Sequence, residues 1–188
     1  MRYGWVSLLI LYFQAVALLW LSTPVHADGD YWVLVDSRRY TLSVFEGSRP
    51  IQTFRNIALG HGGVARNRRS GDGKTPIGTY FVAWINHDSR FRLFFGLDYP
   101  NDGQIEEAYV DGAIDGHTYF DLRSARAHHQ LPSQETVLGG NIGIHGLGDR
   151  SPEFHRRYNW TEGCIALTNE QIDQLAAWVD LGTMVVIR

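Results

Sequence analysis

Residues 141–166 read NIGIHGLGDRSPEFHRRYNWTEGCIA. The stretch carries His145 and the only cysteine of the chain, Cys164, each beside a glycine: Gly146 follows the histidine and Gly163 precedes the cysteine. Residues 141–145 are short and apolar, which fits a buried strand ending at His145, and residues 164–167 form a second short apolar run. A free thiol, with a pKa of about 8.5, needs a base nearby to become a good nucleophile near neutral pH. His145 is the candidate base and Cys164 the candidate nucleophile. Separation in sequence does not prevent contact in space. Contact requires sulfur and nitrogen within about 2.6–3.2 Å, looser without substrate. Gly163 permits a tight turn whose successive N–H groups suit the oxyanion of a tetrahedral intermediate.

Downstream of this stretch, Thr168 with Gln171 three residues later marks a helix N-terminus. Ile172, Leu175, Ala176 and Val179 give that helix an apolar face, Gly182 stops it, and residues 184–187 form a closing strand. At the other end, residues 31–36 are rich in β-branched and aromatic residues and residues 40–45 alternate in hydrophobicity, joined by a short connection as in a β-hairpin. Residues 51–59 extend it to a meander. A glycine-rich loop (60–73) leads into KTPIGTY at 74–80, where Pro76 fixes its own φ and holds Thr75 extended. Strands are expected over 79–85 and 91–97. The cluster DYPNDG at 98–103 is a turn, without the alternating ligand spacing of a calcium loop. One helix is expected from about His117 to Pro132, and a loop over 148–160.

The first 27 residues have the form of a secretory signal: Arg2, an apolar run over 6–21, and Val25-His26-Ala27 before a cut after Ala27. An uncleaved anchor is the other reading, although the apolar run is slightly short for a span of about 20 residues. Either way the expected catalytic domain is 28–188, placed outside the cytoplasm, and any membrane contact runs through this segment. A net charge of −3 does not point to nucleic acid, and Arg66, Arg68 and Arg69 read as a solvated loop. One cysteine cannot form an internal disulfide, so the thiol is buried, bridging or reactive. No metal is expected: a zinc site from His145, Cys164 and His155 lacks a recognisable ligand set, and His128 and His129 lack companions. No cofactor is implied.

Five motifs occur in order: residues 74–80 (KTPIGTY), 99–101 (YPN), 142–146 (IGIHG), 161–165 (TEGCI) and Gly182-Thr183. Together they resemble the YkuD-type L,D-transpeptidase family, over nearly the whole of 28–188. The family pattern is a histidine, some 14 to 17 residues, then Ser or Thr, His, Gly and Cys; here 15 residues separate His145 from Thr161. The resemblance implies a mainly β, β-sandwich-like catalytic domain with a few helices. It implies peptidoglycan stem peptides as substrates, attacked at the carbonyl of the L-centre of a diamino acid with loss of the terminal D-alanine. The acyl-enzyme then passes to an amine, which cross-links, or to water, as in a carboxypeptidase. The acceptor amine is another stem peptide or a lysine of an outer-membrane lipoprotein. By match to the motif, Cys164 is nucleophile and His145 base and proton carrier. Gly146 offers a carbonyl that orients the pair, and Gly163 and Cys164 supply oxyanion N–H groups.

Two positions depart from the family. Glu162 stands where histidine is frequent, and Ala166 where arginine or asparagine is frequent. An ionised carboxylate cannot donate to an oxyanion, so Glu162 suits a cationic amine of donor or acceptor instead. The departures leave open cross-linking, hydrolysis, amidase cleavage of an existing link, or an inactive peptidoglycan-binding module. The substrate-facing set is Thr161, Glu162, Arg156, Arg157 and Trp160. The two arginines suit bidentate recognition of a carboxylate, and His155 lies in the same loop. His61 is expected at the surface, and Trp32, Trp84 and Trp178 in the core.

Overall fold

Strand β1 (Tyr31–Asp36) and β2 (Thr41–Glu46) pair antiparallel. Their alternating pattern sends Val33, Val35, Leu42 and Val44 wholly inside, the period of a half-buried sheet. Trp32 and Phe45 face each other across the pair and stack at 4.4 Å. Strand β3 (Arg49–Arg55) completes the meander on the far side of β2. The computed structural model describes residues 31–188. The expected signal, 1–27, and the question of its cleavage lie outside the described residues.

A short parallel pair, β4 (Val64–Ala65) with β5 (Thr75–Pro76), fastens the two ends of the glycine-rich loop. Then follow β6 (Gly78–Asn86), β7 (Phe94–Leu97), helices α1 (Asp102–Val110) and α2 (Gly116–Ala127), and β8 (Gly143–His145). The chain ends with α3 (Pro152–Arg157), β9 (Ile165–Ala166), α4 (Asn169–Leu175) and β10 (Met184–Ile187). The large sheet runs β3-β2-β1-β10-β6-β7-β8-β9. The last strand enters its middle, parallel to β1 and antiparallel to β6, so Val185 and Ile187 are buried. The sheet curls until its edges meet. Just past β3, Ala58 N–H donates to Ala166 O at 2.9 Å and Ala166 N–H to Ala58 O at 2.8 Å. The fold is mainly β with a few helices, as expected.

The third strand stops at Arg55 rather than 59, because the chain leaves β2 there to reach β9. Two helices occupy segments expected as turn or loop. Asn101 caps α1 in a reciprocal capping box with Gln104, and Ser151 caps α3 with Pro152 in its first turn. Both patterns satisfy N–H groups that an uncapped helix start leaves free. Thr168 and Gln171 form the expected capping box of α4, which ends at Leu175. Val179 is still buried beyond it, while Ala176 faces solvent.

Candidate active site

The parallel pairing of β8 with β9 builds the site. Ile144 lies level with Ile165, and His145 with Ala166. Cys164 therefore comes level with Gly143. Positions two apart share a face of a strand, so thiol and imidazole leave the same face, one strand over and two residues along. Strand spacing and rise put their α-carbons about 8 Å apart. Gly143 places no side chain between them; a Cβ there would run into the Phe94 ring and meet Phe95 O at 2.5 Å.

His145 is 2% exposed. Phe91 stacks on it at 4.3 Å, Phe94 stacks with its plane nearly parallel at 5.6 Å, and Trp160 meets it edge-on at 5.7 Å. Its Nδ1 is 2.7 Å from Gly146 O. A carbonyl only accepts, so Nδ1 carries the proton and Nε2 keeps the lone pair. Burial drives the imidazole pKa down to about 4; the bond to Gly146 opposes this, and His155, Arg90 and Arg150 add to it. The loop after His145 is braced by Asn169, whose Oδ1 accepts from Leu147 and Gly148 N–H at 2.9 and 3.0 Å.

Cys164 is a half-buried residue. Its sulfur is enclosed closely enough that burial lifts the thiol to about 11, opposed by Gly143 N–H and by the charge of Arg68. The thiol donates to Asn141 O at 3.3 Å. No hydrogen bond joins it to His145 among the described residues. The close sulfur–nitrogen contact expected from the sequence is thus not made at rest: the thiol turns back towards Asn141.

The turn before Cys164 is held from within. Thr161 Oγ1 donates to Cys164 O at 2.6 Å and accepts from Gly163 N–H at 3.2 Å. Thr161 is 3% exposed, so its hydroxyl serves the turn rather than facing a ligand. The Gly163 N–H expected to face an oxyanion is occupied by that hydroxyl, whereas Cys164 N–H has no acceptor among the described residues. Gly163 adopts φ +129°, and a Cβ there would meet Lys74 O at 2.7 Å.

Other residues stand elsewhere than expected. Arg68 is buried, not solvated: its Nε faces Asp72 at 3.4 Å, one terminal nitrogen donates to Glu162 O at 3.5 Å, and the other has no partner. His155 is buried as well and accepts from Trp160 Nε1 at 3.3 Å. Arg156 pairs with Glu153 along the exposed side of α3, and Arg157 is exposed on the same helix. Glu162 is exposed and meets His61 Nε2 at 3.2 Å, which brings His61 to the edge of the turn before Cys164. Trp160 is half-buried against His145. Trp32 and Trp84 are half-buried aromatic stacks, and Trp178 packs on the core. Arg90 and Arg150, not singled out in the sequence, lie over Phe91 at 4.7 Å and Trp160 at 4.3 Å. Alternation of an arginine with an aromatic neighbour at Arg90-Phe91 was the one signal that could have flagged the first.

Solved structures share this architecture. The helical cell shape determining protein Pgp2 of Campylobacter jejuni matches with a TM-score of 0.56 and 23% identity, over 84% of this chain and 47% of that one. Bd1075 of Bdellovibrio bacteriovorus matches at 0.54 and 23%, over 85% and 48%. An Enterococcus faecium L,D-transpeptidase matches at 0.50 and 14%, over 85% and 50%. The chain spans about half the length of these structures. No curated protein sequence matches it. The family profile of the L,D-transpeptidase catalytic domain matches residues 30–187, nearly all of the described fold and every residue of the site above, and the chain belongs to this YkuD family.

Proposed function

We propose that the protein is an exported cysteine L,D-transpeptidase acting on peptidoglycan tetrapeptide stems through an acyl-enzyme on Cys164. The observation that supports this best is the β8–β9 register, which presents the only thiol and a buried, neutral imidazole on one sheet face. A change of χ1 rotamer swings the sulfur from Asn141 towards His145. As sulfur bonds to the substrate carbonyl carbon, its proton passes to His145 Nε2. The oxyanion takes the free Cys164 N–H, joined by Gly163 N–H when that donor leaves Thr161. Collapse breaks the carbon–nitrogen bond, and His145 returns the proton to the departing D-alanine amine. An acceptor amine then attacks the thioester, His145 takes its proton, and as the carbon–sulfur bond breaks the departing sulfur recovers that proton from His145.

Gly146 holds the tautomer this sequence requires. Export rests on the signal form of residues 1–27 and on the cell-wall action of the family. The acceptor is a second stem peptide or a lipoprotein lysine, and water in its place gives the carboxypeptidase. The test is incubation of the purified protein with a tetrapeptide muropeptide, products read by mass spectrometry. Dimer or tripeptide from wild type and neither from Cys164→Ala is expected. Neither product from wild type sinks the proposal.

A further inference from the structure

Two arginines flank the base, one of which, Arg150, also lies over Phe154 of α3 at 5.5 Å. Arg90 sits over Phe91 and Arg150 over Trp160, and those rings are two of the three that wall His145. Both arginines are exposed. Neither stands in an ion pair among the described residues. Stacking on an aromatic face fixes the plane of a guanidinium and leaves its edge of N–H donors free. Two guanidiniums without an anionic partner among the described residues therefore stand over two of the rings that wall His145, rings whose centroids are 6.3 Å apart.

The chemistry of the leaving group says what meets them. If His145 Nε2 returns a proton to the departing amine, that nitrogen lies about 3 Å away. In a terminal α-amino acid the carboxyl carbon is about 2.5 Å from the amine nitrogen. The carboxylate must then lie within about 6 Å of Nε2, beside the walls on which the arginines are seated. We propose that Arg90 and Arg150 form a carboxylate clamp for the free C-terminus of the donor peptide, so that the scissile bond is the last one of the chain. A carboxylate accepts a planar fork through both oxygens, whereas a C-terminal amide or a continuing chain carries no charge to accept it. The clamp deepens the functional reading above and rests on it for the placement of the leaving amine.

The test is binding, which needs no turnover. In the Cys164→Ala background, titration calorimetry compares a stem tetrapeptide ending in D-alanine with the same peptide as its C-terminal amide. The parent is expected to bind the acid about 100-fold more tightly than the amide, about tenfold from each arginine. Arg90→Gln or Arg150→Gln reduces that preference about tenfold, and the double substitution brings it to within about threefold. A parent that binds acid and amide alike, or binds neither, overturns the clamp; so does a preference that survives the double substitution. Wild-type turnover is scored separately: an acid preference that follows the arginines in a protein making no product keeps the clamp and removes the transpeptidase.

Discussion

The resting site holds a neutral thiol beside a neutral imidazole, and this sets how Cys164 reacts with an alkylating reagent. The thiol stands at about 11 and the imidazole at about 4. Moving the proton from sulfur to nitrogen across that gap costs on the order of 10 kcal/mol at about 1.4 kcal/mol per pH unit. Attraction between the resulting charges at about 4 Å returns roughly 4 kcal/mol at an effective dielectric of about 20. The neutral pair wins by several kcal/mol. At pH 7.5 about 3 sulfurs in 10,000 are ionised, against about one in ten for a thiol of pKa about 8.5. A more basic thiolate is a stronger nucleophile, by about tenfold over this range. Iodoacetamide should thus modify Cys164 roughly 30-fold more slowly than it modifies a small free thiol. With one cysteine in the chain, intact mass reports the site directly. The rate should climb tenfold per pH unit from pH 6 to 10 without levelling. Arg68→Met should move the profile to still higher pH, because the Arg68 charge favours the thiolate. Restricted access would slow every point equally, so the shape decides. A plateau already reached below pH 7 means a thiolate–imidazolium pair at rest and refutes the reasoning.

The same two groups shape stability against pH. His145 is lowered in the folded protein, so below about 6.5 the unfolded chain binds a proton that the folded one refuses until about 4; stability should fall by about 3 kcal/mol across that window. Cys164 is raised, so from about 9 to about 11 the unfolded chain releases a proton the folded one retains, and a similar loss should follow on the alkaline side. Urea titrations from pH 4 to 11 should show a plateau between, with His145→Gln flattening the acid limb and Cys164→Ser the alkaline one. Gly163→Ala should destabilise the fold by about 2–4 kcal/mol, from a left-handed backbone and the Lys74 carbonyl in its path; a change below about 0.5 kcal/mol contradicts the packing. Thr161→Val removes the hydroxyl that links Gly163 N–H to Cys164 O. It should lower kcat about tenfold or more with KM little changed and Thr161→Ser restoring the rate; a fall confined to KM would place the hydroxyl on substrate instead.

Where periodicity and capping agreed, the sequence was enough. The alternation at Val33, Val35, Leu42 and Val44 and the Thr168–Gln171 box are local patterns, and the structure keeps both. The Asn101–Gln104 and Ser151–Phe154 caps were equally local. They were hidden by turn residues around them: Tyr99-Pro100 before one, Gly148 and Pro152 beside the other. What no local pattern could show was closure. Ala58 and Ala166 are more than a hundred residues apart and join the sheet's edges, a pairing that depends on curl and not on composition. The same holds for β10, whose apolar run fits any buried strand but whose place between β1 and β6 is set only when both are present.

The site divides along the same line. The candidates His145, Gly146, Gly163 and Cys164 could be picked out because they stand in one short stretch. The charges around them were not. A chain of net charge −3 gives no hint that three arginines gather about its thiol and imidazole, since net charge sums the surface and a site's field depends on placement. These cations act in a consistent sense. Arg68 favours the anionic form of the sulfur, while Arg90 and Arg150 disfavour the cationic form of the base. In the proposed reaction an imidazolium must nevertheless form as the thiol attacks. On the proposed clamp, a carboxylate seated on Arg90 and Arg150 would offset the two charges that oppose it, and an arriving substrate would raise the basicity of His145. Without that carboxylate the imidazole stays a weak base and the thiol protonated, which under this proposal limits reaction with other electrophiles.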